Sequence, residues 1–275
     1  MSDVPREFVY TSYPARQGMA WLRSAYTMFS QQRAGWVLLV VGYFLVLFVL
    51  RAIPYVGPYA MTVLKPVFAV GLLAAAWNQE RGGAPRPQHL FQGFRANLWA
   101  LLMIGAFFVA GITLAVFASS LVDGGKLLEL MANGAQSEDD LVTALSDPRI
   151  ELAMLFSVLL SLPIVVATWW APALVVFQDA SATAALTASV RAAIANWKAL
   201  VVYALAVFLY AGVIPAVCIK LVALVVPPPV MQLLIIALLL PYSLFFAATL
   251  HVSDYVSYRD VFHAGETLAP LPRGT

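Results

Sequence analysis

Charge is scarce in this chain. Asp, Glu, Lys and Arg make up 11% of its 275 residues, where a soluble domain carries about 25%. Hydrophobic residues reach 62%, and the mean hydropathy is +0.84. Such a composition excludes a water-soluble globule and points to an integral membrane protein. The 16 Lys and Arg against 14 Asp and Glu leave a net charge of +2. The cations are scattered through apolar sequence, so no basic face exists for a phosphate backbone and no nucleic-acid partner is expected. A single cysteine, Cys218 within an apolar run, excludes an intrachain disulfide, a CxxC motif and a thiolate cluster. Nor is there a GxSxG, HExxH or GxxxxGK[ST] sequence, or a pair of carboxylates inside an apolar run. Hydrolase, metalloprotease, NTPase and proton-coupled pump readings therefore lack their chemistry. The expectation is a protein with no catalytic residues, no cofactor and no metal.

What the chain does have is long apolar runs. A helix needs about 20 apolar residues to cross the hydrocarbon, because lipid offers the backbone no hydrogen-bond partner. Six runs qualify, at about 34–52, 58–77, 98–122, 152–177, 199–226 and 230–250. The sequence predicts an all-α, six-span bundle forming a single domain over residues 1–275. The first run starts at Ala34, and Arg51-Ala-Ile-Pro follows it without a small-residue cleavage site, so it reads as a retained anchor rather than a signal peptide. Pro227, Pro228 and Pro229 lack N–H groups and mark a tight turn between the last two runs.

Basic residues set the expected orientation. Arg6, Arg16, Arg23, Arg33, Arg81, Arg86, Arg95, Arg191, Lys198, Arg259 and Arg273 fall on the side of the N-terminus, leaving Arg51, Lys65, Lys126, Arg149 and Lys220 elsewhere. Both termini are thus expected in the cytoplasm. The connection 123–151 holds seven acids against Lys126 and Arg149, which suits an external loop. Within it, "GKLLELMA" and "SEDDLVTAL" predict short helices, the second capped by Ser137.

Similar segments precede the rising spans. Arg33 and Trp36, Arg95 and Trp99, and Arg191 and Trp197 each combine a cation for the phosphate zone with an indole for the aromatic belt, and all six are expected interface anchors. Leu22, Tyr26 and Phe29 trace an apolar face before the first span. Leu186, Val190, Ile194 and Trp197 trace another before the fifth, opposite Thr183, Thr187 and Arg191. Prolines recur in the returning spans at Pro66, Pro172 and Pro241. The pattern predicts three pseudo-repeats of about 85 residues, each an interfacial helix followed by a helical hairpin.

The stretch "PALVVFQDASATAALTASVRAAIANWKAL" (172–200), with "KPVFAVGLLAAAWNQERG" followed by "HLFQGF" and the terminal "HVSDYVSYRDVF", resembles an uncharacterised proteobacterial family of six-helix inner-membrane proteins. It is also similar to the membrane domain that precedes some glycerophosphodiester phosphodiesterases. That group carries its catalysis in a separate barrel domain, for which residues 1–275 leave no room, so none is expected here. The resemblance therefore implies a location and a fold, and no reaction.

Candidate site residues are few. Lys65, Lys220 and Arg51 lie within or beside spans, toward the expected external ends, and are the candidate contacts for an anion or lipid headgroup; long side chains reaching for headgroups explain them as well. His251, Asp254 and Tyr255 share one helical face where the sixth run ends, beside Tyr258, Arg259 and Asp260. One His and one Asp are too few for a metal, so a polar membrane exit is the expectation. His89 and His263 read as surface residues. Ser157, Ser161, Thr168, Gln232, Ser243 and Thr249 are expected to bond backward within their helices or join neighbours. These features predict a non-enzymatic accessory or structural component of the envelope that contacts membrane lipids and a second membrane protein. The alternative is a carrier for a small anionic or amphiphilic solute that uses Lys65 and Lys220.

Overall fold

Apolar runs that find no partner in lipid close their hydrogen bonds within themselves, and among the described residues the chain is helical without strands. The computed structural model describes residues 8–133 and 146–264. The helices are α1 (Gln17–Gln31), α2 (Arg33–Arg51), α3 (Gly57–Glu80), α4 (Leu98–Asp123), α5 (Lys126–Asn133), α6 (Pro148–Trp169), α7 (Ala171–Gln178), α8 (Ala182–Ala195), α9 (Trp197–Phe208), α10 (Ile214–Ala223) and α11 (Pro228–Phe262). A 3-10 segment, Pro87–Arg95, precedes α4, and a π turn, Leu209–Val213, joins α9 to α10. Taking α6 with α7 and α9 with α10, six helices are long and apolar enough to cross a membrane.

The most enclosed span is α3. Its small and branched residues from Pro66 to Ala76 face neighbours on nearly every side. Close approach there depends on missing side chains: a Cβ on Gly93 of the 3-10 segment would stand 1.9 Å from the Val67 carbonyl oxygen, and one on Gly18 of α1 would stand 2.1 Å from that of Ala199. Small residues let helix backbones meet where lipid supplies no driving force of its own. Local signals set the ends. Asn97 Oδ1 accepts from the Ala100 amide at 3.2 Å, and Asp147 Oδ1 from that of Arg149 at 2.9 Å. Asp123 is buried and accepts from the amides of Gly125 (2.8 Å) and Leu127 (2.6 Å), so it organises the start of α5. The helix expected in "GKLLELMA" is α5; the one expected in "SEDDLVTAL", with Ser137, lies outside the described residues.

Several expectations are corrected. The last span continues to Phe262, well past residue 250, because Val252, Tyr255, Val256 and Tyr258 keep a helical stripe buried after the hydropathy falls. Trp36 is no belt residue: it is 0% exposed, and its Nε1 donates to Gln79 Oε1 at 2.6 Å, while Gln79 Nε2 donates to the Met28 carbonyl at 2.6 Å. Trp99 and Trp197 are 73% and 57% exposed, and Arg33, Arg95 and Arg191 are exposed as well. On α1 the buried face runs through Gly18, Trp21, Leu22, Ala25 and Phe29, leaving Tyr26 exposed. On α8 the buried face is Ala185, Ala188, Ser189, Ala192 and Ala193, and Ile194 is 66% exposed. Bulky apolar side chains are at home in lipid, whereas the small ones allow contact with protein. The lead-in segments also differ in kind, two α-helices and one 3-10 segment, so the expected likeness does not extend to the helix type of these segments.

The fourth span breaks at Trp169–Trp170, just before Pro172, whose ring cannot continue the ladder. Ser189 of α8 repairs the gap. Its Oγ donates to the Val166 carbonyl at 2.8 Å and accepts from the Trp170 amide at 3.2 Å. The segment 8–16 lies across the same end of the bundle. Asn196, fully buried between α8 and α9, accepts from the Tyr13 amide (2.9 Å) and donates to the carbonyls of Thr11 (3.0 Å) and Ala192 (2.9 Å). The Thr11 amide in turn donates to the Val261 carbonyl at 2.8 Å. This strap ties the beginning of the described chain to the end of α11.

Candidate functional site

Helices α3, α6, α7, α9 and α11 line an open cavity of about 440 Å³ in the half of the bundle nearest the strap. Its walls are Leu72, Leu73, Val165, Val207, Leu250 and similar side chains; at one end stand His251 and Asp254. The break before Pro172 helps to open it, since Trp169 and Pro172 both face the space. Successive turns of α11 bring the polar pair together, His251 Nδ1 standing 3.7 Å from Asp254 Oδ2. Tyr43 of α2 packs edge-on against the imidazole at 5.5 Å. Tyr203 and Ser253 share a hydrogen bond of 2.6 Å at the same level. Trp169 also lines the space, and its indole N–H is buried without a hydrogen-bond partner among the described residues.

The chemistry available is an apolar cavity with one imidazole and one carboxylate. The Thr168 hydroxyl donates back to the Ile164 carbonyl at 2.9 Å, and the Tyr203 hydroxyl is held by Ser253, so neither is a free nucleophile. Such a site suits recognition of an amphiphile: apolar walls take its chain, and a few placed polar groups fix its head.

A second polar cluster closes the bundle just beyond the cavity. Glu80 receives hydrogen bonds from the Tyr255 hydroxyl and the Arg259 guanidinium, and Arg259 also reaches Asp260 at 2.9 Å. Gln17 Nε2 donates to Asp260 Oδ2 at 3.1 Å, and the Tyr13 hydroxyl donates to the Asp260 carbonyl at 3.1 Å. Burial and the nearby Asp260 charge raise the Tyr13 hydroxyl above its ordinary pKa. Every charged group here is committed to the strap or to a neighbour, so the cluster reads as a clamp.

Lys65, Lys220 and Arg51 are exposed, line none of the cavities described here and make no ion pair among the described residues. His251 and Asp254 do meet, with Tyr255 turned into the clamp instead. The expectation for the other histidines is corrected. His89 is buried, its Nδ1 lying 2.9 Å from the Arg86 amide, and burial holds its pKa below the ordinary value near 6.5. His263 Nε2 is 2.9 Å from the Tyr258 hydroxyl. In the connection between α4 and α6, a hydrogen bond from Lys126 at 2.8 Å keeps the Asp147 carboxyl below the usual range. Ser157, Ser161 and Thr249 bond back to carbonyls of their own helices, as expected.

Three residues escaped the sequence reading: Ser189, Gln79 and Trp169. Ser189 sits among alanines and Gln79 at a polar exit, and neither place distinguishes a buried partner from a solvated one. The available signal was the Trp169-Trp170-Ala-Pro172 stretch, where a proline in a long apolar run implies a helix break needing repair.

Among known proteins, a "probable inner membrane protein" of Burkholderia thailandensis is 29% identical over 265 residues, which cover 93% of this chain and 94% of that protein. No family model matches the chain, and no solved structure matches it. None of these findings links it to the membrane domains that accompany phosphodiesterases.

Proposed function

We propose that this protein is a non-enzymatic accessory component of a bacterial inner membrane that holds a small amphiphile between its spans. The observation that carries the reading is the cavity of about 440 Å³ with apolar walls and the His251–Asp254 pair at one end. The inner-membrane relative supports the location, since the two chains correspond over nearly their whole lengths. Among the described residues, nine Lys and Arg on the strap side, against Lys126 and Arg149 at the other end, support a cytoplasmic placement of the strap end. A polar floor that offers one acid and one imidazole, with its hydroxyls tied back, supports binding over turnover. Membrane lipids are the expected surroundings, and the exposed helix faces are available to a second membrane protein. Nucleic acid is not an expected partner.

Native mass spectrometry of the protein released from membrane nanodiscs tests this. The natural chain should retain an amphiphile that Asp254→Asn and His251→Gln each reduce about tenfold, the effect of losing one charge-assisted contact. A Lys65→Ala, Lys220→Ala double variant should leave it unchanged. Retention equal in all variants, or no bound amphiphile in the natural chain, overturns the reading. Loss only in the lysine double variant transfers the function to the carrier alternative.

A further inference from the structure

The fifth span changes its hydrogen bonding at one place, and the reason is a proline. Pro215 has no N–H, and the Ile214 amide reaches back to the Leu209 carbonyl in the π turn, so the Tyr210 carbonyl has no donor in its own helix. Tyr242 of α11 supplies one, its hydroxyl standing 2.6 Å from that carbonyl. An unpaired carbonyl on a lipid-facing span costs several kcal/mol, which accounts for the crossing. The bond holds Tyr242 across the gap, stacked on Phe246 with planes 2° apart. Beside this pair runs a groove of about 530 Å³ between α1, the π turn and α11.

Arg23 lines the same groove from α1. Its side chain is exposed and makes no hydrogen bond or ion pair among the described residues. Helix α1 contains no acid. Glu80 and Asp260, the carboxylates clamped at this end of the bundle, are both occupied by Arg259 and its neighbours. An unpaired guanidinium at one side of an aromatic, otherwise apolar groove is complementary to a phosphate carrying hydrocarbon chains. We infer that this groove binds one anionic phospholipid, its phosphate on Arg23 and an acyl chain along Tyr242 and Phe246.

The test uses the full chain in nanodiscs of equal parts phosphatidylglycerol and phosphatidylethanolamine, released for native mass spectrometry. One phosphatidylglycerol should stay on the natural protein in preference to phosphatidylethanolamine. Arg23→Gln should lower its retention about fivefold, in line with one basic contact to an anionic surface, whereas Arg33→Gln, exposed but outside the groove, should not. Excess inorganic phosphate should leave it bound, because the chains contribute. A phosphatidylglycerol with a photoreactive acyl chain should mark the peptide containing Tyr242 and Phe246. Equal retention by Arg23→Gln, an equal loss in Arg33→Gln, no preference between the lipids, displacement by phosphate or marking confined to other spans would each overturn the assignment. Arg23 carries no internal bond, so an unchanged melting temperature in detergent separates lost lipid from lost fold. Because the cavity at Asp254 is untouched by these variants, the two binding sites stand or fall separately.

Discussion

Ser189 Oγ lies between the Val166 carbonyl and the Trp170 amide, a place that in an unbroken helix is filled by the direct bond between those groups. One hydroxyl, acting as donor on one side and acceptor on the other, lets the fourth span bend without leaving two buried backbone groups unpaired. Removing it should be costly. Ser189→Ala is expected to destabilise the protein by about 1–3 kcal/mol, the penalty for buried groups left without partners, read as a lower melting temperature in detergent. Ser161→Ala is the comparator, since Ser161 only bonds back to the Ser157 carbonyl of its own helix, and it should change little. Equal melting of the two variants would mean that the backbone closes the gap without the hydroxyl. Trp36 teaches the same lesson about context. As a residue type beside a basic side chain it is indistinguishable from Trp99 and Trp197, yet Gln79 on another helix turns it into a core residue. No pattern local to the first span carries that information.

Elements were legible wherever composition alone decides them. The six spans follow from apolar length, and the turn at Pro227 from missing donors. Faces and ends were harder. On α8 the stripe of Leu186, Val190 and Ile194 traces the apolar face expected at the membrane interface, and Ile194 is indeed exposed. What the pattern did not show is that the alanine stripe is the face packed on protein, since close helix contact requires small side chains. The end of α11 was missed for a related reason: hydropathy stops at His251, while the spacing of Val252, Tyr255 and Val256 continues to bury a stripe. The cavity was only partly visible, since His251 and Asp254 share a helix but the walls come from four others. The strap was hidden altogether, as its partners lie far along the chain. Asn196 is its fastening point. Asn196→Ala removes bonds to Thr11, Tyr13 and Ala192 and should release the segment while the spans stay folded. Limited trypsin digestion should then cut after Arg16 about tenfold faster, as expected for a local opening made easier by about 1.4 kcal/mol. An unchanged cleavage rate would show that the bonds of Thr11 to Val261 and Tyr13 to Asp260 suffice.

At the scale of the whole molecule the strap fixes one relation that topology rules can use: the first and last described segments meet at the same end of the bundle. Arg16, Arg23, Arg33, Arg81, Arg86, Arg95, Arg191, Lys198 and Arg259 belong to that end, whereas Lys126 and Arg149 flank the connection at the other. Translocating so many cations against the membrane potential is unfavourable, so this end should face the cytoplasm. The single cysteine makes the prediction easy to check. Cys218 is exposed on α10, and Cys218→Ser provides a background without thiols. On it, Ile53→Cys reports the turn between α2 and α3, and Gln88→Cys the 3-10 segment; both positions are exposed. A membrane-impermeant maleimide should label Ile53→Cys in intact cells and Gln88→Cys only after the inner membrane is opened. The reverse pattern would place the strap, the clamp and the floor of the cavity on the periplasmic side. The His251–Asp254 pair would then meet ligands arriving from outside the cell.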